Sequence, residues 1–249
     1  MIDIKKKSNT IILIPARLES ERLKNKPLKL INGVPMIAQV ALRATKLGIG
    51  DVVVASGNQL ITDTLNKYKI KSVMTSSKHK SGTDRIYEAF NHFKKVGYNY
   101  IVNLQGDLPF FRDCLIPETI KLLKDHSVDI GSAVCELKKE EFGDSNIVKA
   151  IATLDKDYSG FSKDFKRKVK SIKNCFHHIG IYVFRPSSLK KFVKLKRTSI
   201  EKKRNLEQMR ALENGMTIKL VKVQQSPISV DTENDLKKVR YFFKKKIYN

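Results

Sequence analysis

The chain has 249 residues, of which 41% are hydrophobic, so it can bury a core and form one large domain or two small ones. Its 49 lysines and arginines against 25 aspartates and glutamates give a formal net charge of +24, which would suit a nucleic-acid-binding protein. No run of about 18 apolar residues occurs, which excludes a membrane-spanning helix, and we expect a cytoplasmic protein without membrane insertion.

The excess positive charge and the cysteines point to no special class of protein. Most of the excess is lysine, spread along the chain without interleaved aromatic residues or a recognisable DNA-reading helix, so solvated faces explain it as well. An acidic small substrate would be attracted by the same field. The three cysteines, Cys114, Cys135 and Cys175, are isolated and match neither a disulfide framework nor a zinc pattern.

The first predicted element is a strand followed by a cation-rich loop. Residues 11–14 are apolar without polar alternation, which predicts a strand buried on both faces, and Pro15 is expected to end it. The loop therefore lies at the carboxyl end of a strand, where ligands bind in open α/β sheets. Arg17, Arg22 and Lys26 give this loop the character of an anion site, although a surface loop of solvated cations is the simpler alternative.

Strands and helices alternate through the next part of the chain. The pattern predicts a helix at about 36–46, a strand at about 51–55, a helix at about 60–68 and a strand at about 72–75. Such alternation implies parallel pairing by right-handed crossovers. We therefore expect a doubly wound, mostly parallel α/β sheet whose loops after the strands converge on one cleft.

A second candidate loop reads H-K-S-G-T-D-R from His79 to Arg85. Gly82 would let the backbone approach a ligand, Ser81 and Thr83 supply hydroxyl groups, and Arg85 supplies a charge at the start of the next helix. The alternative is that Ser81 or Thr83 only caps that helix, which is predicted at about 84–95.

An acidic residue follows the next predicted strand, at about 100–104, in the sequence Q-G-D-L-P. Asp107 lies at the end of this strand, between a glycine and a nearby proline, which would place it to bind a hard cation that bridges phosphate oxygens. An aspartate in an ordinary turn is the alternative interpretation.

The second half of the chain contains further candidates with structural alternatives. We predict a helix at about 115–124, a strand at about 176–185, a helix at about 200–214, a strand at about 218–223, and a final helix opened by residues 229–236 and running to about 246. His178 on a strand could be a core residue, and Glu207 with Gln208 could lie on a solvated helix face. Thr232 with Asp235 resembles a capping pair for the final helix.

Six motifs together carry a resemblance to a known family. They are P-A-R-x-x-S-x-R-L-x-x-K-P-L from Pro15, S-G-T-D-R, Q-G-D-x-P, H-I-G-I-Y, L-E-Q-x-R and V-D-T, in this order over almost the entire chain. This set resembles the 3-deoxy-manno-octulosonate cytidylyltransferases, or CMP-Kdo synthetases. The resemblance implies a Rossmann-like nucleotidyltransferase fold that transfers a cytidylyl group from CTP to Kdo for lipopolysaccharide or capsule synthesis and releases pyrophosphate.

The resemblance also implies roles for individual residues. The nucleotide would be bound by Pro15, Ala16, Arg17, Arg22, Lys26, Ser81, Gly82, Thr83 and Gln105. The sugar acid would be bound by Arg85, Gln105, His178, Glu207 and Gln208. Asp107 and Asp231 would hold Mg²⁺, and catalysis would rest on these two acids with Arg17 and Lys26. Strands at about 129–134 and 146–153 would follow the family pattern.

The expected assembly is a single nucleotidyltransferase domain, residues 1–249, that forms a homodimer and has no nucleic-acid partner. A smaller lobe at about 155–215 would complete the sugar pocket and the dimer interface. Within it, residues of about 155–174 match the family least well.

The sequence departs from the family pattern at four positions: Gly57 and Asn58 stand where the family has an acidic pair, Leu108 where it has an acid, and Arg204 where an acid is usual. Two alternatives stay open, the first motivated by these departures and the second by the net charge of +24. One is a cytidylyltransferase for a related sugar acid, such as an amino-Kdo or a sialic-acid-like sugar. The other is a non-catalytic nucleotide-binding or nucleic-acid-binding protein on the same fold.

Overall fold

The computed structural model describes residues 8–20 and 22–245, and it divides into two compact units. Unit 1 contains the chain up to Phe111 and again from Pro227 onward, whereas unit 2 contains Arg112–Ser226. The predicted lobe at about 155–215 falls within unit 2, and its assignment to a sugar pocket and a dimer interface stays a prediction. None of the helices in the described ranges is long and apolar enough to cross a membrane.

The regular elements follow the predicted alternation. The strands are β1 (Thr10–Ala16), β2 (Leu30–Ile31), β3 (Val34–Pro35), β4 (Asp51–Ser56), β5 (Ser72–Met74), β6 (Tyr100–Leu104), β7 (Ile130–Glu136), β8 (Lys149–Ala152), β9 (Ser159–Lys166), β10 (Cys175–Phe184) and β11 (Ile218–Lys222). The helices are α1 (Met36–Lys46), α2 (Gln59–Lys67), α3 (Gly82–Asn91), α4 (Leu115–Lys121), α5 (Pro186–Lys194), α6 (Ser199–Arg204), α7 (Met209–Glu213) and α8 (Glu233–Lys245).

Four strands of unit 1 pair in parallel in the order β5, β4, β1, β6, and β2 and β3 form a separate antiparallel pair. All four residues of 11–14 are fully buried, as expected for a strand covered on both faces. This confirms the predicted doubly wound sheet. Pro15, however, does not end β1, which continues to Ala16. Since β1 pairs with β6 only as far as Leu13, the N–H that a proline lacks is not needed there.

The helix ends of unit 1 are fixed by local capping. Ser81 accepts a hydrogen bond from the backbone N–H of Asp84, which confirms that it caps α3. Asn58 caps α2 in the same way, by accepting from the N–H of Leu60. The Thr232 hydroxyl accepts from the N–H of Asp235, whose carboxylate accepts in return, so the predicted capping pair of α8 is confirmed. The predicted end of α8, Lys246, lies outside the described residues.

Unit 2 contains five strands, and each of them pairs with two of the others, so that the pairings form a closed ring. β10 pairs antiparallel with β7 and β8, β11 pairs parallel with β7, and β9 pairs antiparallel with both β8 and β11. Strand β9 lies inside the segment at about 155–174 for which the sequence predicted no element, and helix α5 was also missed. Pro186 opens α5 at a position where its fixed backbone angle favours a helix start.

The prediction of a single helix at about 200–214 is wrong. Two short helices, α6 and α7, are separated by residues 205–208, which we call the 205–208 turn. Asn205 adopts a left-handed conformation with φ of 52°, and its N–H bonds back to the carbonyl of Glu201, which ends α6. Asparagine tolerates this conformation better than most residues, so the chain can break here at little cost. Glu207 and Gln208 therefore lie in a turn.

Candidate active site

The loop after β1 carries the predicted anion-binding residues of unit 1. Pro15 and Ala16 are the last residues of β1, and Arg17, which follows them, is exposed. The side chain of Arg22 is half exposed. Lys26 opens a short 3₁₀ turn, and its side chain is only 16% exposed, so it is far less accessible than a solvated surface lysine.

Lys26 joins two carboxylates from distant parts of the chain. Its Nζ lies 2.6 Å from Asp107 Oδ2 and 2.9 Å from Asp231 Oδ1. Asp107 follows β6 and Asp231 precedes α8, and the N–H of Val230 donates to the carbonyl of Asp107 at 3.0 Å. Arg22 adds a second cation, with Nη2 3.2 Å from Asp231 Oδ1. The two carboxylates bind one nitrogen, so they lie within the roughly 8 Å expected of ligands to one cation.

The charge of Lys26 is stabilised by these contacts. Burial by itself would lower the pKa of the Lys26 ammonium, but the carboxylates of Asp107 and Asp231 outweigh burial and raise the pKa above its ordinary value. Lys26 therefore stays protonated at neutral pH. It separates two negative charges that would otherwise repel each other.

Apolar neighbours of these charged residues belong to one buried cluster of unit 1. Leu23 lies in the loop of Arg22 and Lys26, Phe110 follows Asp107 by three residues, and Val230 directly precedes Asp231. The buried members of the cluster are Leu23, Ile31, Met36, Phe110, Val230, Leu236 and Val239. Burial of each such side chain stabilises the fold by about 1.5–3 kcal/mol. Apolar packing therefore helps to bring the three charged segments together.

The pair Asp107 and Asp231 fits a hard divalent cation. Magnesium is typically held by one or two carboxylates, and its other ligands are water and substrate phosphates. The ammonium of Lys26 already shows that both carboxylates can face one positive charge. Among the described residues no cluster of three or more acidic, histidine or cysteine side chains could hold a metal by itself. These two acids would therefore need ligands from a substrate to complete the coordination of a metal.

The S-G-T-D-R loop packs against the end of β1. A Cβ atom at Gly82 would lie 3.3 Å from Cγ of Pro15, so glycine allows the loop to approach the strand closely. The hydroxyl of Ser81 is engaged with Asp84 as the α3 cap. Thr83 is buried, and its hydroxyl accepts a hydrogen bond from Asn103 at 3.1 Å. The side-chain hydroxyls of this loop thus serve the fold in this structure.

Gln105 lies directly after β6 and continues this polar row. Its amide nitrogen is 3.4 Å from Oδ1 of Asn103, which in turn binds Thr83. Gln105 is only partly buried. Of these three side chains, Gln105 is therefore the one that remains accessible.

Arg85 is a buried cation, with only 2% of its surface exposed. Its Nη1 donates to Thr75 Oγ1 at 2.7 Å and to the carbonyl of Ser76 at 3.1 Å. Burial lowers the pKa of Arg85, and the nearby Arg17 lowers it further. A Cβ atom at Gly57 would collide with the guanidinium group, so the glycine at this position provides the space that Arg85 occupies.

His178 is a buried, neutral histidine of unit 2. Its Nε2 lies 3.0 Å from Ser132 Oγ, and its ring meets that of Phe165 edge-on at 4.8 Å between centroids. Burial, with a small contribution from the charge of His177, lowers the pKa of His178 to about 3. His178 can therefore offer a hydrogen bond at neutral pH but no positive charge.

Two predicted sugar-acid residues lie near one tyrosine that the sequence analysis did not single out. The ring of Tyr182 is 5.6 Å from that of His178. Burial and the neighbouring Glu207 carboxylate both raise the pKa of Tyr182, so it stays protonated. The spacing of four residues along one strand, from His178 to Tyr182, could have indicated a shared face. Gln208, next to Glu207, is buried.

A second buried ion pair lies beside the 205–208 turn. Arg210 binds the Glu201 carboxylate through two nitrogens, Nε at 3.0 Å and Nη2 at 2.8 Å, and both side chains are 2% exposed. Arg197 adds a third bond to Glu201 at 2.9 Å, and Arg210 stacks on Phe192 at 4.8 Å. The arginine of the L-E-Q-x-R motif therefore has a structural role. Sequence reasoning missed it because Glu201 carries no motif of its own.

The family model and two curated relatives that match this chain are all cytidylyltransferases. A family model described as cytidylyltransferase matches residues 11–218. A protein of Rickettsia prowazekii, named 3-deoxy-manno-octulosonate cytidylyltransferase, is 41% identical over 247 residues, which cover 96% of this chain and 97% of the relative. A protein of Rickettsia rickettsii with the same name is 40% identical over 235 residues, covering 93% and 96%.

Solved structures agree with these relatives. A CMP:2-keto-3-deoxy-manno-octonic acid synthetase complexed with CTP superimposes with a TM-score of 0.85 at 29% identity, covering 95% of this chain and 99% of that one. An apo UDP-glucose pyrophosphorylase has a TM-score of 0.70 at 12% identity and covers 96% and 99%, a likeness of fold alone. The fold is therefore shared by nucleotidyltransferases with different substrates.

The Glu201–Arg210 pair leads to a prediction about stability. Burial alone would raise the pKa of Glu201, but Arg210 and Arg197 lower it below its ordinary value of 4.5. The pair therefore stabilises the fold fully above about pH 4.5, and this contribution is lost as the pH falls through the lower folded-state pKa. Glu201→Gln leaves Arg210 buried without a carboxylate, so we expect the free energy of unfolding to fall by about 3–5 kcal/mol at pH 7.

Urea denaturation of the wild type and Glu201→Gln between pH 7 and pH 3 measures this difference, which should shrink at the acid end. Glu136→Gln is a matched control, because Glu136 is 71% exposed and pairs with Lys222 at the surface. The control should lose less than about 1 kcal/mol. Equal losses in the two variants at pH 7 would contradict the role given to the buried pair.

Proposed function

The chain belongs to the cytidylyltransferase family, and from this membership we infer that it activates 3-deoxy-manno-octulosonate (Kdo) with CTP, giving CMP-Kdo and pyrophosphate. The observation that carries this conclusion is that relatives named for this activity align with nearly the whole chain, through both units. The net charge of +24 suits the anionic substrates CTP and Kdo as well as it suits a polyanion, so it gives no separate support to nucleic-acid binding.

The first loop of unit 1 is proposed to bind the triphosphate. In the reaction, the anomeric hydroxyl oxygen of Kdo bonds to the α-phosphorus of CTP, the bond from that phosphorus to the pyrophosphate oxygen breaks, and the hydroxyl proton is released. Catalysis of such a transfer depends on positioning and on neutralising charge. Arg17, Arg22 and Lys26 would hold the phosphates and stabilise the departing pyrophosphate.

Asp107 and Asp231 are proposed to hold the divalent metal that cytidylyltransferases generally use, and we propose Mg²⁺. Their shared contact with Lys26 supports this assignment, because it places both carboxylates around one positive charge. When bound, the metal would neutralise charge on the phosphate oxygens. Lys26 would then be released from part of its ion pairing and become available to phosphate.

The residues assigned to sugar-acid binding are likewise part of this proposal. In unit 1, Arg85 could bind a carboxylate through its guanidinium group, and Gln105 offers an accessible amide. In unit 2, the neutral His178 and the neighbouring Glu207 and Gln208 offer hydrogen-bonding groups suited to sugar hydroxyls. We also propose a homodimer in the cytoplasm, with the lobe at about 155–215 as its interface.

Pyrophosphate release tests the function directly. With CTP and Mg²⁺, we expect turnover with Kdo, and a lower kcat/KM with an amino-Kdo and with a sialic acid. UTP and ATP in place of CTP should give much less product, which controls for unspecific hydrolysis. Faster turnover of another sugar acid would reassign the substrate, and no release with any member of the panel would overturn the enzymatic function.

Lys26→Ala tests the anion-binding loop. Removal of one preorganised charge commonly costs about 10²–10³ in turnover, so kcat should fall at least about a hundredfold. Lys24→Ala is the control, because Lys24 is exposed and lies two residues away; its turnover should stay within about twofold of the wild type. Thermal melting checks that both variants are folded. A folded Lys26→Ala protein with normal turnover would contradict the proposed role.

Asp107→Asn and Asp231→Asn test the metal site. Each change removes an anionic ligand, so the Mg²⁺ concentration for half-maximal activity should rise about tenfold or more, and the thermal stabilisation by CTP with Mg²⁺ should weaken. Asp63→Asn on the exposed part of α2 is the control and should match the wild type. An unchanged Mg²⁺ dependence in both acid variants would remove these residues from the metal site.

A further inference from the structure

The 205–208 turn is held from both of its ends by backbone hydrogen bonds. The N–H of Leu206 donates to the carbonyl of Glu201 at 3.2 Å. On the other side, Met209 donates to the carbonyl of Leu206 at 3.1 Å and Arg210 to that of Glu207 at 3.0 Å. These bonds define the path of the turn, but they all connect residues close in sequence. They do not attach the turn to the sheet.

Arg204 provides an attachment to the sheet. Its Nη1 lies 2.5 Å from Oδ1 of Asp164 and 2.8 Å from the carbonyl of Phe165, both on β9. The same nitrogen is 3.8 Å from the sulfur of Met209, the residue that follows the turn. One guanidinium group therefore contacts the strand and the residue after the turn, while its own backbone directly precedes the turn.

Arg167, the residue after β9, attaches the beginning of the turn. Its Nε donates to the carbonyl of Arg204 at 3.3 Å and its Nη2 to that of Asn205 at 3.4 Å. A third bond reaches the carbonyl of Ser145 at 3.1 Å. Of these hydrogen bonds around the end of β9, three involve Arg204 and one reaches Asn205.

The contact explains two departures from the family pattern together. Arg204 stands where an acid is usual, and Asp164 lies in the segment that matches the family least, 40 positions away in sequence. The basic residue at 204 forms an ion pair with the carboxylate of Asp164 on β9. The two departures are therefore compatible with each other in charge. Asp164 also pairs with Lys166 at 3.0 Å, and the Arg204–Asp164 pair, with side-chain exposures of 27% and 23%, would add little stability by itself. We therefore expect the Arg204–Asp164 pair to affect the geometry of the 205–208 turn more than the free energy of unfolding.

We propose that Arg204 and Asp164 are positioning residues that fix the 205–208 turn and so determine the affinity for the sugar acid. This proposal rests on the proposed function, in which Glu207 and Gln208 bind that substrate. A shift of about 1 Å in binding groups can cost up to about a hundredfold, so a modest contact can have a large effect on a substrate. Neither residue touches substrate in this proposal.

Steady-state kinetics of Arg204→Ala tests the positioning role. We expect the KM for the sugar acid to rise about tenfold, with the KM for CTP and kcat within about twofold of the wild type, the pattern of lost ground-state binding. Arg204→Lys keeps the cation near Asp164 and should recover most of the affinity. Lys222→Ala is the control, since it breaks a surface ion pair with Glu136 elsewhere in unit 2 and should change neither KM.

A double-mutant cycle separates the ion pair from unrelated effects of each residue. Asp164→Ala should raise the KM for the sugar acid, and the double variant should be no worse than Arg204→Ala, because both changes break the ion pair while only the loss of Arg204 also removes the bond to the Phe165 carbonyl. Additive losses, an unchanged KM for the sugar acid, or equal increases for CTP and the sugar acid would each overturn the proposal.

Amide hydrogen exchange distinguishes a failure of this proposal from a failure of the proposed function. In Arg204→Ala, the amides of Leu206, Met209 and Arg210 should exchange about tenfold faster, while β10 and β11 keep their protection. If the wild type released no pyrophosphate, the function would fail, yet faster exchange confined to the turn would still support the attachment. Unchanged exchange in the turn would overturn the attachment whatever the activity.

Discussion

The ammonium group of Lys26 holds two carboxylates whose residues are 81 and 205 positions away from it in sequence. The contact depends on β6, which delivers Asp107, and on the return of the chain to unit 1, which delivers Asp231 at the start of α8. Apolar residues beside the charged ones, Leu23, Phe110 and Val230, share one buried cluster, so packing and charge favour the same arrangement. The chemistry proposed for unit 1 depends on this arrangement.

This strongly basic chain also buries cations, and it does so in different ways. Arg210 is neutralised by Glu201, whereas Lys149, which is fully buried, donates to two backbone carbonyl oxygens. Arg85 donates to a hydroxyl and a carbonyl, and the carboxylates of Glu19 and Glu88 act on its charge through space. Buried cations of this chain are thus stabilised either by a bidentate carboxylate, as in Arg210, or by neutral oxygens with carboxylates nearby, as in Lys149 and Arg85.

Departures from a family pattern gain physical meaning once their neighbours are known. Gly57 replaces an acid, and the missing side chain leaves room for Arg85. Arg204 replaces an acid, and it pairs with Asp164 on a strand that the motifs did not predict. Leu108 replaces an acid and is buried. In the first two cases a nearby group compensates for the change, so a substitution that looks unfavourable in isolation is consistent with an intact site.

Local patterns in the sequence determined much of this protein. The apolar runs of β1 and β6, the ends of α1 and the capping pair of α8 follow from periodicity and from side-chain chemistry within a few residues, and the family motifs identified the activity. Only the tertiary structure decided that Lys26 bridges Asp107 and Asp231. It also decided that the helix predicted at about 200–214 breaks at Asn205. The physical reason is that these features arise from pairs far apart in sequence, or from a backbone conformation that periodicity does not encode, and their energies exist only once the sheet has brought the partners together.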